Sequence, residues 1–153
     1  MDYASNPKAH FDYDILETLE AGLVLTGTEV KSIKTGKASL KGAYVKIVNR
    51  TSGKTGSQAV LVGAIVSPYQ PKNAPPDYDP QRSRTLLLTK KQIATLIGMS
   101  KSHGLALVPL KLYDKHGKVK LLVGVARGKK KYDKRETIKK KDVQRAKERG
   151  YEQ

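Results

Sequence analysis

The chain contains no cysteine and no tryptophan, one phenylalanine, and only 14 acidic residues against 30 Lys and Arg in 153 residues. Without cysteine there are no disulfides and no thiolate metal sites. No N-terminal apolar run resembles a signal peptide, and no stretch approaches membrane-spanning length. These gaps lead to the expectation of a soluble, cytoplasmic chain without membrane contact. The shortage of acid leaves a formal charge of +16 and a pI near 10.0. A balance that basic points to nucleic acid as partner. The scarcity of aromatic rings argues against a protein that stacks many single-stranded bases, and favours recognition of RNA by shape and backbone.

Catalytic patterns are thin as well. His10, His103 and His116 have no Ser, Cys or carboxylate at motif spacing. Asp77 and Asp79 lack further metal ligands nearby. There is no phosphate-cradling glycine loop, so neither a cofactor nor a small-molecule substrate is expected.

What is present is organised around residues 11–36. Phe11, Tyr13, Ile15, Leu19, Ala21, Leu23 and Leu25 fall on alternate positions, with Glu17 as the exception. That predicts a long strand with one buried face, bent at Gly22. Thr26-Gly27-Thr28-Glu29 is a capping box. Val30 and Ile33 then face the sheet, and Gly36 ends the helix.

Residues 1–9 are polar and are expected to be mobile. Residues 43–48 and 59–66 read as a hairpin with a loose connection. Residues 68–80 hold five of the seven prolines. Such a loop is either functional or a plain crossing over the barrel end. Residues 86–88 read as a short strand, and Thr89 with Gln92 as a second capping box. Residues 105–113 and 118–126 are the last two strands, joined by a turn at 114–117, with Pro109 marking an edge or bulge. The expected fold is mainly β: a six-stranded antiparallel barrel of the oligonucleotide-binding type with flanking helices. Residues 1–127 form one RNA-binding domain in this reading. Residues 128–153 form a basic tail, expected to be disordered when free and helical on its bound partner. From 127 onward there are 12 Lys and Arg against 5 Asp and Glu.

Lys111, Lys118 and Lys120, then Lys31, Lys34 and Lys37, then Arg82 and Arg84, give basic stripes suited to phosphate. In the tail, Tyr132 sits among cations, so one ring can stack on a base while its neighbours hold phosphate.

Three stretches carry a resemblance: Glu20-Ala21-Gly22-Leu23-Val24-Leu25-Thr26-Gly27-Thr28-Glu29-Val30-Lys31-Ser32, Leu86-Leu87-Leu88, and Gly128-Lys129-Lys130-Lys131-Tyr132-Asp133-Lys134-Arg135. Together, in this order, they resemble the bacterial SsrA-binding (small protein B) family across essentially the whole chain. The resemblance implies a non-enzymatic RNA-binding protein of trans-translation. Such proteins bind the tRNA-like domain of transfer-messenger RNA and bring it to stalled ribosomes. It implies RNA contacts at Asn6, Glu20, Leu87 and Lys120. It also implies a ribosome-acting tail motif at Lys129, Lys130, Tyr132, Asp133, Lys134 and Arg135, which orders in the decoding region and empty message channel of the small subunit. Some members carry His at the position of Tyr132; both rings are planar. Glu20 repels phosphate, so its role is to accept from a base amino group or orient a basic neighbour, unless it is an ordinary outward Glu. The chain is expected to be a monomer. The alternatives are a ribosomal or general tRNA-binding barrel protein, and, from another class, a nuclease.

Overall fold

The computed structural model describes residues 2–49 and 56–129. In chain order the elements are β1 (Asp2–Ser5), α1 (Pro7–Asp12), β2 (Tyr13–Leu23), α2 (Gly27–Lys34), β3 (Ala38–Ser39), β4 (Tyr44–Asn49), β5 (Ser57–Val62), β6 (Ile65–Val66), β7 (Arg84–Leu87), α3 (Lys90–His103), β8 (Ala106–Lys115) and β9 (Lys118–Gly128), with one 3-10 turn at Pro71–Asn73.

The mainly β, antiparallel architecture with flanking helices is as expected; the count of six strands is not. The main sheet has seven strands in the order β1-β8-β9-β2-β7-β5-β4, and β3 pairs with β6 in a separate ribbon. Among the described residues β1 and β4 are the sheet's two edges, and no ladder joins them. Two local causes changed the count. The run 59–66 divides into β5 and β6 at Gly63, whose φ of +83° carries the chain out of one ladder into another. The N-terminus supplies a further strand.

The expectation of a mobile N-terminus and of a first strand starting at Phe11 is therefore corrected. β1 pairs with β8, Ser5 opposite Lys111. Pro7 opens α1, where a missing N–H costs nothing and its fixed φ suits a helix. Asn6, between them, is buried; its backbone N–H donates to Leu110 O and its Nδ2 to Pro109 O, both at 2.9 Å. Pro109 and Lys111 flank a register shift against β9, the bulge the proline foreshadowed. A polar nonapeptide is ordered because it satisfies that irregular edge.

The local readings around residue 26 hold in detail. The Thr26 hydroxyl accepts from the Glu29 N–H, and the Glu29 carboxylate accepts from the Thr26 N–H. Ile33 is buried, and Gly36 follows the helix at φ +81°. α3 carries its own capping box, Thr89 with Gln92, and ends at Gly104 in the left-handed region. His116 and Gly117, both at positive φ, make the two-residue turn between β8 and β9. The expected loop after β4 lies largely outside the described residues, at 50–55.

One core fills the inner face of the sheet. Ala21, Leu86, Leu112, Leu121 and Val123 meet Ile33 of α2 and Leu96 of α3. A smaller cluster lies on the outer face under α1, where Ala9 packs with Val108, Leu110, Ala126 and Ile15. Gly124 permits this: a Cβ there would stand 3.1 Å from Leu110 Cδ1 and 3.3 Å from Ile15 Cγ2. α1 thus covers one end of the outer face; among the described residues the other end is bare.

Candidate nucleic-acid interface

Register assembles the bare end. Tyr113 of β8 lies opposite Lys120 of β9, Lys120 opposite Gly22 of β2, and Gly22 opposite Leu87 of β7. Directly opposed residues of an antiparallel ladder share a face. The next row on the same face is Lys111, Leu122 and Glu20. The intervening residues, Leu112, Leu121, Ala21 and Leu86, point into the core. Glu20, Leu87 and Lys120, far apart in sequence, therefore stand together on one surface that no other described element covers.

Gly22 makes their closeness possible. A Cβ at this position would meet Leu87 Cβ and Cδ1 at 3.3 Å and Lys120 Nζ at 3.6 Å. The bend read from the sequence is the point where β2 turns from β9 to β7, and the missing side chain lets Leu87 lean over the strand. Leu87 is 59 % exposed, an apolar platform beside a cation.

Glu20 is held by two donors. The Tyr113 hydroxyl donates to its Oε2, and Lys115 Nζ lies 3.1 Å from Oε1 and 3.2 Å from Oε2. The hydrogen bonds from Tyr113 and Lys115 hold the carboxyl below its ordinary range. Desolvation, then the bond to Glu20, pushes the Tyr113 hydroxyl up to about 12. Lys111 Nζ sits 5.2 Å from the centre of the Tyr113 ring and 3.5 Å from Asp2. Sequence reasoning missed Tyr113. Its strand was visible, but its partner lies 93 residues away, across β9.

Asn6 is placed differently. It lies off the row, and one N–H of its side-chain amide is used on Pro109 O. It lines a groove of about 410 Å³ with His10, Thr18, Lys111 and Leu122, and so borders the surface that carries Glu20.

Other basic stripes prove to be partly structural. Arg84 is 1 % exposed and belongs to the interior, which corrects its assignment to a phosphate-binding surface. Its Nε donates to Glu29 Oε2 at 2.8 Å, its Nη1 to Ala64 O at 3.0 Å and its Nη2 to Pro80 O at 3.1 Å. Arg82 reaches Glu29 Oε1 from the rim. Burial alone would raise the Glu29 carboxyl; the bonds from Arg82, the Thr26 N–H and Arg84 outweigh it and bring the group to about 2. On α2, Lys34 donates to Gly117 O at 2.8 Å. Lys31 and Lys37 flank the Tyr69 ring at 5.9 and 5.7 Å. The proline-rich loop is tied to this region, with Tyr78 Oη donating to Val66 O at 2.7 Å.

At the end of β9 Gly128 still pairs with Tyr13. Lys129 donates its backbone N–H to Asp12 O at 2.9 Å and its Nζ to His10 O at 3.0 Å. The remaining tail positions singled out above, Lys130, Tyr132, Asp133, Lys134 and Arg135, lie outside the described residues. No described helix is long and apolar enough to cross a membrane.

Comparison with known proteins gives a consistent result. The SsrA-binding protein of Anoxybacillus flavithermus is 51 % identical over 148 residues, covering 97 % of this chain and 91 % of its own length. That of Enterococcus faecalis is 50 % identical over 142 residues, covering 93 % of this chain and 87 % of its own. A solved structure described as "tmRNA-SmpB: a journey to the center of the bacterial ribosome" contains a chain 43 % identical, with a TM-score of 0.61, covering 93 % of this chain and 94 % of that one. The sequence model of the family described as "SmpB protein" matches residues 3–153. The chain belongs to the SmpB protein family.

Proposed function

We propose that this chain binds transfer-messenger RNA and acts with it on the ribosome in trans-translation. The observation that carries the site is the bare outer face, where register brings Glu20, Leu87 and Lys120 onto one surface. Lys120, Lys111 and Lys118 supply cations for the phosphate backbone. Leu87 offers an apolar contact for a base or ribose. Glu20 accepts a hydrogen bond from a nucleotide donor, which a phosphate cannot provide. The chain works by binding alone, in the cytoplasm, and residues beyond Lys129 act at the decoding region and message channel of the small subunit. Tyr132, Asp133, Lys134 and Arg135 carry that second role, with Lys130 beside them.

Cutting the chain after Lys129 tests the division. The break follows Lys129 because its N–H still bonds to Asp12 O. The truncated protein is expected to bind a transcript of the tRNA-like domain as the full chain does. It should fail to support peptide tagging on a message without a stop codon. Tagging at the full-length rate would remove the tail from the mechanism. Loss of RNA binding on truncation would remove the sheet face as the main RNA contact.

A further inference from the structure

We propose that Tyr113 is a positioning residue for RNA recognition: its hydroxyl fixes Glu20 so that the open side of Oε1 faces an incoming nucleotide donor. This rests on the reading that Glu20 meets RNA.

The argument is one of lone pairs and rigidity. A carboxylate offers about four acceptor directions. Tyr113 takes one on Oε2, and the Lys115 ammonium bridges both oxygens. Among the described residues, one direction on Oε1 stays open. The two partners differ in how firmly they hold. Tyr113 has a stiff side chain with two torsions, partly buried, two residues before the end of β8, with Lys111 over its ring. Lys115 is an exposed, four-carbon chain at the end of the same strand. An arriving phosphate competes for Lys115, which frees a second direction on Oε1. Its claim on the Tyr113 hydroxyl is weaker, because that group already donates to the carboxylate and carries no charge at neutral pH.

The ligand chemistry follows. With Oε2 anchored, Oε1 presents an acceptor in a fixed orientation beside Leu87 and Lys120. The matching group is a base exocyclic amine or a ribose 2′-hydroxyl. Charged and titratable neighbours that face Glu20 are Tyr113, Lys111 and Lys115 from β8, Lys118 and Lys120 from β9, and Asp2 from β1. The Tyr113 hydrogen bond first, then the Lys115 bond and the charges of Lys115 and Lys120, hold the Glu20 carboxyl below its ordinary range; Tyr113 is the neutral member of the set.

The experiment uses the full chain and a transcript of the tRNA-like domain. Tyr113→Phe keeps the ring and removes only the hydroxyl. Glu20→Gln keeps the shape and removes the charge. Tyr113→Phe should weaken RNA binding about tenfold, the scale of one hydrogen bond to a charged group. In the Glu20→Gln background the same change should cost less than about twofold, because there is no longer a carboxylate to orient. An NMR titration of the free protein should show the Glu20 carboxyl moving up in Tyr113→Phe, with the acid limb of RNA binding moving up alongside it. Glu20→Gln at full affinity would remove the underlying reading. A weakened Glu20→Gln beside an unchanged Tyr113→Phe would overturn only the role of Tyr113. An equal loss in both backgrounds would mean that the Tyr113 hydroxyl acts independently of the Glu20 carboxylate and would overturn the proposal too.

Discussion

Replacing Arg84 with methionine tests the internal ion pair that holds β7 in place. The substitution keeps roughly the volume and deletes the guanidinium. Glu29 then retains the Arg82 and Thr26 N–H donors and loses Arg84, while Ala64 O loses its donor. Both partners of the deleted pair are nearly without solvent, at 1 % and 2 % side-chain exposure. Removing one member of such a pair costs about 3–5 kcal/mol, because the other charge stays buried. Arg82→Met, whose side chain is 40 % exposed, should cost about 1 kcal/mol or less. Urea denaturation at neutral pH should separate the two variants clearly. The same pair gives an acid signature. Glu29 titrates near 2 in the folded chain against an ordinary 4.5, so its ionised form stabilises the fold. That stability is complete above pH 4.5 and drains away as pH falls toward 2. At about 1.4 kcal/mol per unit the contribution is about 3 kcal/mol, of which about 2 is gone by pH 3. The Arg84→Met deficit should narrow over the same window. A deficit below about 1 kcal/mol at pH 7, or one that does not shrink in acid, would refute the ion-pair account.

Two further outcomes follow from named contacts. Gly124→Ala should destabilise the fold by about 1–3 kcal/mol, since the new methyl meets Leu110 and Ile15 under α1; a neutral melting temperature would mean that the cluster yields freely. Lys120→Ala should lower the slope of log affinity against log salt by about one unit if its ammonium meets a phosphate, and an unchanged slope with weaker binding would make it a base contact instead.

Legibility in the sequence followed the range of each interaction. The capping boxes at Thr26 and Thr89 were readable because every atom involved lies within one helical turn. The bends at Gly22 and Pro109 were readable because one residue type announces a backbone requirement. β1 was not, since four residues with little apolar pattern are held by main-chain bonds to a strand about a hundred positions away. Arg84 looked like surface charge because its partner, Glu29, precedes it by 55 residues. The candidate site shows the same split. Glu20, Leu87 and Lys120 came from a resemblance, and what joins them is strand register, which composition and periodicity leave open. Tyr113 depends on that register twice over, through β9 to β2.

β9 sets a length. It carries Lys120 on the bare face and ends at Gly128, where Lys129 is fastened to the backbone of α1. Eight steps of extended chain separate the two points by about 26 Å. Because β9 is paired along both edges, with β2 and β8, that distance cannot stretch or slip without breaking two ladders. The strand is a ruler. Under the proposed function, RNA held at Lys120 would lie at a set spacing from Lys129. An added pair of residues within β9 would disturb both ladders and change that spacing.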